Sequence, residues 1–310
     1  MVWFGGVVRY GWFMGDQWGR QVGLDKAVGG HKYCYGHALV LSGGPGRGGA
    51  GRLAARGALR VGAGLVTVGC PVAALAENSA RLDAVMLTTL DSAGDLRAFL
   101  ADPRVNALCM GPGLGLDRAR QLVPTALEAH ISTVLDADAL STFAAVPEDL
   151  FRMLHRGCLL TPHFGEFCRI FPDLGAELEA LRPHGKSDGS AGDDRRGEFV
   201  KAAAHRCGCS VLLKGPKTWI GSLDGQLCCV SAPRDGSAAW LATAGSGDVL
   251  AGFCAGLMAR GMEPRIAAEV GARLHLECGR YLGPGLIAED LPEAIPAVLR
   301  SVGCGPIHDG

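Results

Sequence analysis

Residues 38–70 read ALVLSGGPGRGGAGRLAARGALRVGAGLVTVGC. Residues 38–41 are a short apolar run that ends on Ser42-Gly43-Gly44. Beyond that turn Ala50, Leu53, Ala54, Gly57, Ala58 and Val61 share one face of a helical period, while Arg52, Arg56 and Arg60 line another. Residues 65–70 are apolar again and stop at Pro71. A strand, a glycine turn, an amphipathic helix and a second strand, in that order, predict a βαβ unit with parallel strands.

The same punctuation recurs down the chain. The apolar run 107–110 closes on Gly111-Pro112-Gly113-Leu114-Gly115, and 133–135 closes on Asp136. Residues 158–160 close on Thr161-Pro162-His163, and 210–213 on Lys214-Gly215. Helical patterns lie between most of these runs. The repetition predicts an α/β fold, a mostly parallel central sheet with helices on both faces. In such a sheet the ligand crevice lies at the carboxyl ends of the strands. Residues 218–221 and 226–230 flank Asp224-Gly225, a hairpin signal that adds antiparallel strands. Residues 183–197, rich in Gly, Ser, Asp, Lys and Arg, read as a polar loop. Residues 1–30 hold Trp3, Trp12 and Trp18 without a clean period, and read as a leader or the remnant of an upstream junction. Residues 31–303 read as one domain and 304–310 as a tail.

Composition narrows the function classes. The 310 residues are 48% hydrophobic with a formal net charge of −1, which allows an unaided core. It gives no electrostatic reason to expect nucleic acid or an anionic membrane as partner. The 47 glycines are about twice the usual share, but they gather at strand-to-helix junctions without the period of collagen. The twelve cysteines form no C-x-x-C pair. Most sit in apolar runs, as Cys70, Cys109, Cys158 and Cys254 do, so they read as small buried hydrophobes in a reducing compartment. No bound metal is assigned to side chains. The N-terminus lacks the pattern of a signal peptide, and no apolar stretch has the length of a membrane span, so a cytoplasmic location is expected.

The chemistry gathers at strand ends. Residues 242–250 read Ala-Thr-Ala-Gly-Ser-Gly-Asp-Val-Leu, just ahead of a helical pattern with Val249, Leu250, Phe253 and Leu257 on an apolar face. Gly245 and Gly247 let backbone N–H groups face an anion. Asp248 falls in the first turn, where the helix dipole is expected to keep its carboxylate ionised. A phosphate cradle beside a base is what phosphoryl transfer to a hydroxyl requires. Gly111 to Gly115 offers either backbone donors for a pyrophosphate or simply a tight turn. Asp136 and Asp138 can orient a metal-bound water or a ribose, or Asp138 can cap a helix. His163 is either a hydrogen-bonding partner of a carboxamide or phosphate, or a structural histidine. Glu166 stands at a helix start. Lys214 emerges at the ligand edge, as a phosphate contact or a solvated turn lysine.

Taken in order, these motifs carry a resemblance. They are His31-Lys32 with Gly36, Gly48-Gly49-Ala50, residues 58–68, Gly111 to Gly115, Leu135-Asp136-Ala137-Asp138-Ala139-Leu140, Leu160-Thr161-Pro162-His163 with Gly165-Glu166, Leu213-Lys214-Gly215 with Thr218, and residues 242–252. From about His31 to Val302 the chain resembles the ADP/ATP-dependent NAD(P)H-hydrate dehydratase family of the ribokinase-like superfamily. The resemblance implies a three-layer α/β/α fold. It implies repair of hydrated NADH and NADPH (the S-form): the ring hydroxyl is phosphorylated from ADP or ATP, then phosphate is lost to restore the dihydronicotinamide. Mg²⁺ accompanies the nucleotide. By the same resemblance Ala50, Gly113, His163 and Asp248 contact the hydrated substrate, and Asp248 is the catalytic base. Lys214, Gly215, Pro216, Lys217, Thr218 and Gly247 hold the nucleotide. A homotetramer is implied, acting beside a separate NAD(P)H-hydrate epimerase.

The chain departs from the family pattern at two places. Phe164 stands beside His163 where the family has Pro or a small residue, and residues 183–197 are unlike the family's sequence there. An epimerase domain precedes this one in many bacterial relatives. None is read here, and epimerase activity is not expected. ADP is the nucleotide favoured by the bacterial look of the chain. Two other readings share the same residues: a ribokinase-like small-molecule kinase, which would release a stable phosphorylated product, and a nucleotide-binding module without catalysis.

Overall fold

The computed structural model describes residues 2–4, 7–9, 18–180, 190–232, 236 and 238–305. The remainder of the leader, residues 181–189 of the polar loop, and 306–310 of the tail lie outside the described residues. Two short strands, β1 (Val2–Phe4) and β2 (Val7–Arg9), pair antiparallel. The short helix α1 (Trp18–Gln21) follows. Trp18 and Leu24 are buried in the main core, so the packed unit includes residues ahead of His31. They are held from two sides. Gly19 N–H donates to Val302 O at 2.9 Å, and the Arg260 guanidinium donates to the carbonyls of Gly23, Leu24 and Asp25 at 2.9–3.0 Å.

The predicted βαβ unit is present as β3 (His37–Leu41), α2 (Gly48–Arg60) and β4 (Leu65–Cys70). Next come α3 (Leu75–Ser79) and β5 (Met86–Thr89), an edge strand the sequence pattern did not reveal. Its residues, Met-Leu-Thr-Thr, are half-exposed and carry no apolar run. The chain continues through α4 (Ala93–Leu100), β6 (Val105–Met110), α5 (Leu116–Glu128) and β7 (Ser132–Leu135). Short helices α6 (Asp138–Ser141) and α7 (Pro147–Phe151) lead to β8 (Cys158–Leu160), then α8 (Phe164–Ile170) and α9 (Pro172–Ala180). Helix α10 (Ser190–Cys207) precedes β9 (Ser210–Leu213) and the hairpin β10 (Lys217–Gly221)–β11 (Leu227–Ser231). Three helices close the domain: α11 (Ser246–Ala259), α12 (Pro264–Leu282) and α13 (Asp290–Ser301).

Nine strands form one sheet in the order β11-β10-β9-β8-β7-β6-β3-β4-β5. β3 to β9 pair parallel, and β10 runs antiparallel to both β9 and β11. The expected turn is there: Ser222 N–H donates to Gln226 O at 3.1 Å, and Gly225 adopts φ +79°. Alternation along each strand splits the core in two. Ala38, Val40, Ala107, Cys109, Leu159 and Leu212 face a layer built from α2, α11, α12 and α13. Leu39, Leu41, Leu108, Met110, Leu160 and Leu213 face a layer that includes α5, α8, α9 and α10. This is the three-layer α/β/α arrangement.

Two local readings change. The loop expected to run to Gly197 is already helix from Ser190. Packing overrides propensity there: a β-carbon on Gly197 would lie 2.6–2.8 Å from Leu227 and Trp219, so only glycine lets α10 lie on the hairpin. Helix α11 is not apolar on a single face, because it is buried almost all round. It passes close to α2, where a β-carbon on Gly252 would lie 2.0 Å from Ala54 O and one on Gly256 2.4 Å from Ala58 O. Eight of the twelve cysteines are buried, and Cys34 is exposed. Among the described residues no helix is long and apolar enough to cross a membrane.

Candidate active site

The sheet reverses direction of growth at β3. The chain first adds β4 and β5 on one side, then returns to add β6 to β9 on the other. The loops leaving β3 and β6 therefore part at a topological switch point, where open α/β sheets bind ligands. Here the two glycine loops touch. A β-carbon on Gly43 would lie 2.0 Å from Gly113 O, and one on Gly113 would lie 2.8 Å from Arg47 O and 3.3 Å from the Ala50 β-carbon. Gly113 also holds φ +63°, so its glycine is required twice. The expected substrate contacts Ala50 and Gly113 thus form one surface at the head of α2.

Asp136 and Asp138 leave the end of β7 in opposite roles. The Asp136 carboxylate is 1% exposed and accepts from Lys214 Nζ at 2.6 Å. Asp138 Oδ2 accepts from Gly115 N–H at 2.8 Å, which ties the β6 loop to α6. That bond, with Leu114 N–H donating to Gly111 O at 3.0 Å, occupies two of the backbone donors the sequence offered to a pyrophosphate. Between the two aspartates Ala137 adopts φ 45°, a conformation unusual for any residue with a β-carbon. The backbone strain lets one carboxylate turn into the site and the next turn back to a loop.

Lys214, at the end of β9, lies beside His163 through an isolated parallel bridge. Its side chain is 18% exposed. Burial pulls its ammonium down, but Asp136, with Glu166 and Asp248 behind it, outweighs burial and holds the pKa above the usual lysine value. It is not a solvated turn lysine. Nor is it an unpaired charge waiting for phosphate, because Asp136 already neutralises it. A β-carbon on Gly247 would lie 3.3 Å from Lys214 Nζ, so the lysine meets the head of α11.

Gly245 caps α11 with φ +86°, and a β-carbon there would lie 2.8 Å from both Leu53 Cδ1 and Ala288 Cβ. The first-turn N–H groups of a helix have no intrahelical acceptor; Ser246 N–H donates to Thr243 O at 3.4 Å, which leaves those of Gly247 and Asp248 to face an anion. Asp248 is half-buried. Burial first, then the charge of Asp136, pushes its carboxyl up to about 6, with Lys214 pulling the other way and Asp138 and Glu166 adding smaller upward pushes. The carboxylate stays ionised at neutral pH, as expected from its place in the first turn, but desolvation and three neighbouring carboxylates outweigh Lys214 and raise its proton affinity above that of a solvated aspartate. A carboxylate that titrates near 6 is ionised in most molecules at neutral pH and is a better proton acceptor than a solvated aspartate.

His163 is both at the site and in a structural role. Its Nδ1 accepts from the N–H groups of Gly165 (2.9 Å) and Glu166 (3.4 Å), while Glu166 Oε2 accepts from His163 N–H at 2.9 Å. This is a reciprocal cap at the start of α8. With Nδ1 accepting, the neutral ring carries its proton on Nε2, on a side chain that is 53% exposed. Phe164 starts α8 and packs against the core on the α5–α10 side of the sheet.

The remaining expected nucleotide contacts do not join this cluster. Gly215 and Pro216 are exposed. Lys217 and Thr218 begin β10, and Thr218 Oγ1 donates to Gly215 O at 3.2 Å, which closes the turn after Lys214. One residue escaped the sequence reading. His275 of α12 is 9% exposed and places Nε2 2.9 Å from Ser246 Oγ and 3.0 Å from Ser246 O. Burial pushes its imidazole down to about 4, so the ring is neutral. Its only signal in the sequence is a polar residue among the buried positions of a helix, where Arg265 and Glu269 are buried as well. Among the described residues no group of three or more His, Cys, Asp or Glu is arranged to hold a metal ion.

A family model described as NAD(P)H-hydrate dehydratase matches residues 38–295. The chain is 35% identical to the bifunctional NAD(P)H-hydrate repair enzyme Nnr of Moorella thermoacetica over 89% of its own length and 52% of that protein's. It spans about half the length of the first curated relatives it matches. It is 34% identical to the ADP-dependent (S)-NAD(P)H-hydrate dehydratase of Neisseria meningitidis serogroup B, covering 81% of this chain and 78% of that one. Among solved structures, the ADP/ATP-dependent NAD(P)H-hydrate dehydratase of Bacillus subtilis, co-crystallised with ATP/Mg²⁺, superposes with a TM-score of 0.71 at 26% identity, covering 90% of this chain and 94% of that one. The matched span runs from the first strand of the parallel sheet into its last helix, and the chain belongs to the NAD(P)H-hydrate dehydratase family.

Proposed function

We propose that this chain removes water from the S-form of hydrated NADH or NADPH, at the expense of ADP, which leaves as AMP and phosphate. One observation carries the reading. A half-buried aspartate stands in the first turn of α11, beside the Lys214–Asp136 pair and Gly247, where burial and Asp136 push its carboxyl up to about 6. In this proposal the hydrated ring enters between Ala50 and Gly113 on one side and His163 on the other. Asp248 takes the proton of the ring hydroxyl as its oxygen attacks the terminal phosphoryl group of ADP. Gly247 N–H faces the phosphoryl oxygens, and Lys214, held by Asp136, keeps further ammonium protons to donate to them. The carbon–oxygen bond then breaks with phosphate as the leaving group, the adjacent ring carbon gives up a proton to water or the departing phosphate, and the double bond of the dihydronicotinamide forms. The turn Gly215-Pro216-Lys217-Thr218 borders the rest of the nucleotide.

The carboxylates nearest Asp248 are already committed: Asp136 to Lys214, Asp138 to Gly115 N–H, and Glu166 to His163 N–H. Such a site suits Mg²⁺ carried on nucleotide phosphates better than a protein cage. Under the same proposal the enzyme works in the cytoplasm as a homotetramer, beside a separate NAD(P)H-hydrate epimerase.

The test is turnover of hydrated NADH with Mg²⁺ and ADP, followed by the absorbance of the dihydropyridine. Asp248→Asn is expected to lower the rate by roughly 10²–10⁴, with ADP affinity nearly unchanged. Near-wild-type turnover in that variant removes Asp248 as the base. Accumulation of a stable phosphorylated product identifies a kinase instead.

A further inference from the structure

Helix α11 presents its chemistry through four residues of which two are glycine. Gly245 and Gly247 have no side chain to pin the turn. Something else must hold its first peptide units in one orientation, because a group that transfers phosphoryl tolerates little misplacement. The described contacts show one such brace. His275 Nε2 lies 3.0 Å from Ser246 O and 2.9 Å from Ser246 Oγ. A carbonyl only accepts, so Nε2 carries the proton and donates. The ring itself cannot swing away. It is buried, and Phe253 of α11 meets it edge-on at 6.3 Å between centroids. Close to it, a β-carbon on Gly271 would lie 3.1 Å from Cys254 Sγ, so α12 is seated tightly on α11.

We propose that His275 is a positioning residue which, by donating to Ser246 O, fixes the first turn of α11 and aims Gly247 N–H and the Asp248 side chain into the cleft. The physical link is the planarity of the peptide unit. Ser246 C=O and Gly247 N–H belong to one trans peptide and point in opposite directions. Holding the carbonyl toward α12 turns the N–H away from α12. Gly247 is the residue that faces Lys214 Nζ, and Asp248 is next in the chain. Ser246 Oγ is a second acceptor for the same N–H and contributes less, because the peptide plane is governed by the carbonyl. His275 touches neither substrate nor nucleotide in this account. The kinetic part of the inference rests on the proposed dehydratase activity; the positioning itself does not.

The experiment compares His275→Leu, which removes the donor, with His275→Gln, which keeps an N–H at similar reach. Two readouts are taken. In the hydrated NADH assay with ADP and Mg²⁺, His275→Leu is expected to lower kcat by roughly tenfold to a hundredfold with KM nearly unchanged, and His275→Gln to recover most of the loss. In hydrogen exchange of the protein alone, the Val249 amide, which donates to Gly245 O at 3.1 Å, is expected to exchange roughly tenfold faster in His275→Leu. Amides in the middle of α11 should keep their wild-type protection. A folded His275→Leu protein with wild-type kcat and wild-type Val249 exchange overturns the inference, as does uniform loss of protection along α11 that accounts for the lost activity. If His275→Leu does not fold, His275→Asn serves, since its amide is too short to reach Ser246 O; wild-type exchange there also overturns it. Should the wild-type protein not act on hydrated NADH, the proposed function fails, and the exchange comparison still decides the role of His275.

Discussion

Replacing Lys214 tests the organisation of the site through stability rather than through activity. Lys214→Met keeps an unbranched apolar stem and removes the ammonium. It leaves the Asp136 carboxylate, 1% exposed, without its partner at 2.6 Å. Breaking a buried ion pair by deleting one member costs about 3–5 kcal/mol, because the remaining charge is uncompensated. At roughly 2–4 °C per kcal/mol for a domain of this size, Tm should fall by about 10 °C at neutral pH. Thermal melts at pH 7 measure it. The double variant Asp136→Asn, Lys214→Met should regain most of the lost stability, since neither charge is then buried alone. A Lys214→Met protein that melts with wild type at pH 7 would refute the buried pair.

Two further outcomes follow from the same geometry. The acid limb of kcat/KM should have its midpoint near pH 6, because Asp248 must be ionised to accept a proton and its carboxyl is pushed up to about 6; a limb near pH 4 counts against that environment. Gly252→Ala should destabilise the protein by about 1–3 kcal/mol, since its β-carbon would lie 2.0 Å from Ala54 O, whereas Gly49→Ala, exposed in α2 with open space around it, should not destabilise; urea melts of the pair separate steric contact from a general glycine effect.

Much of this protein is written locally. Each strand of the parallel sheet from β3 to β9 except β5 appears in the sequence as a mostly apolar run closed by glycine, proline or a polar residue, because a strand buried on both faces must be largely apolar and its connection must turn. The hairpin β10–β11 is written in Asp224-Gly225. The first turn of α11 is written in its glycines and in Asp248, since only glycine supplies φ +86° at Gly245 cheaply. β5 escaped because a short half-exposed edge strand carries no apolar run, and the start of α10 escaped because glycine and charge there are outweighed by packing on Trp219 and Leu227. The pairings inside the site belong to the tertiary structure alone. Asp136 and Lys214 are 78 residues apart, and meet only because β8 lies between their strands. Ser246 and His275 meet because α12 packs back on α11. Ala137 looks like any alanine until two aspartates must point in opposite directions around it. Local pattern decides where a chain turns and which face it buries; which strand end stands beside which depends on strand order, and with it the proton affinity of Asp248 and the state of Lys214.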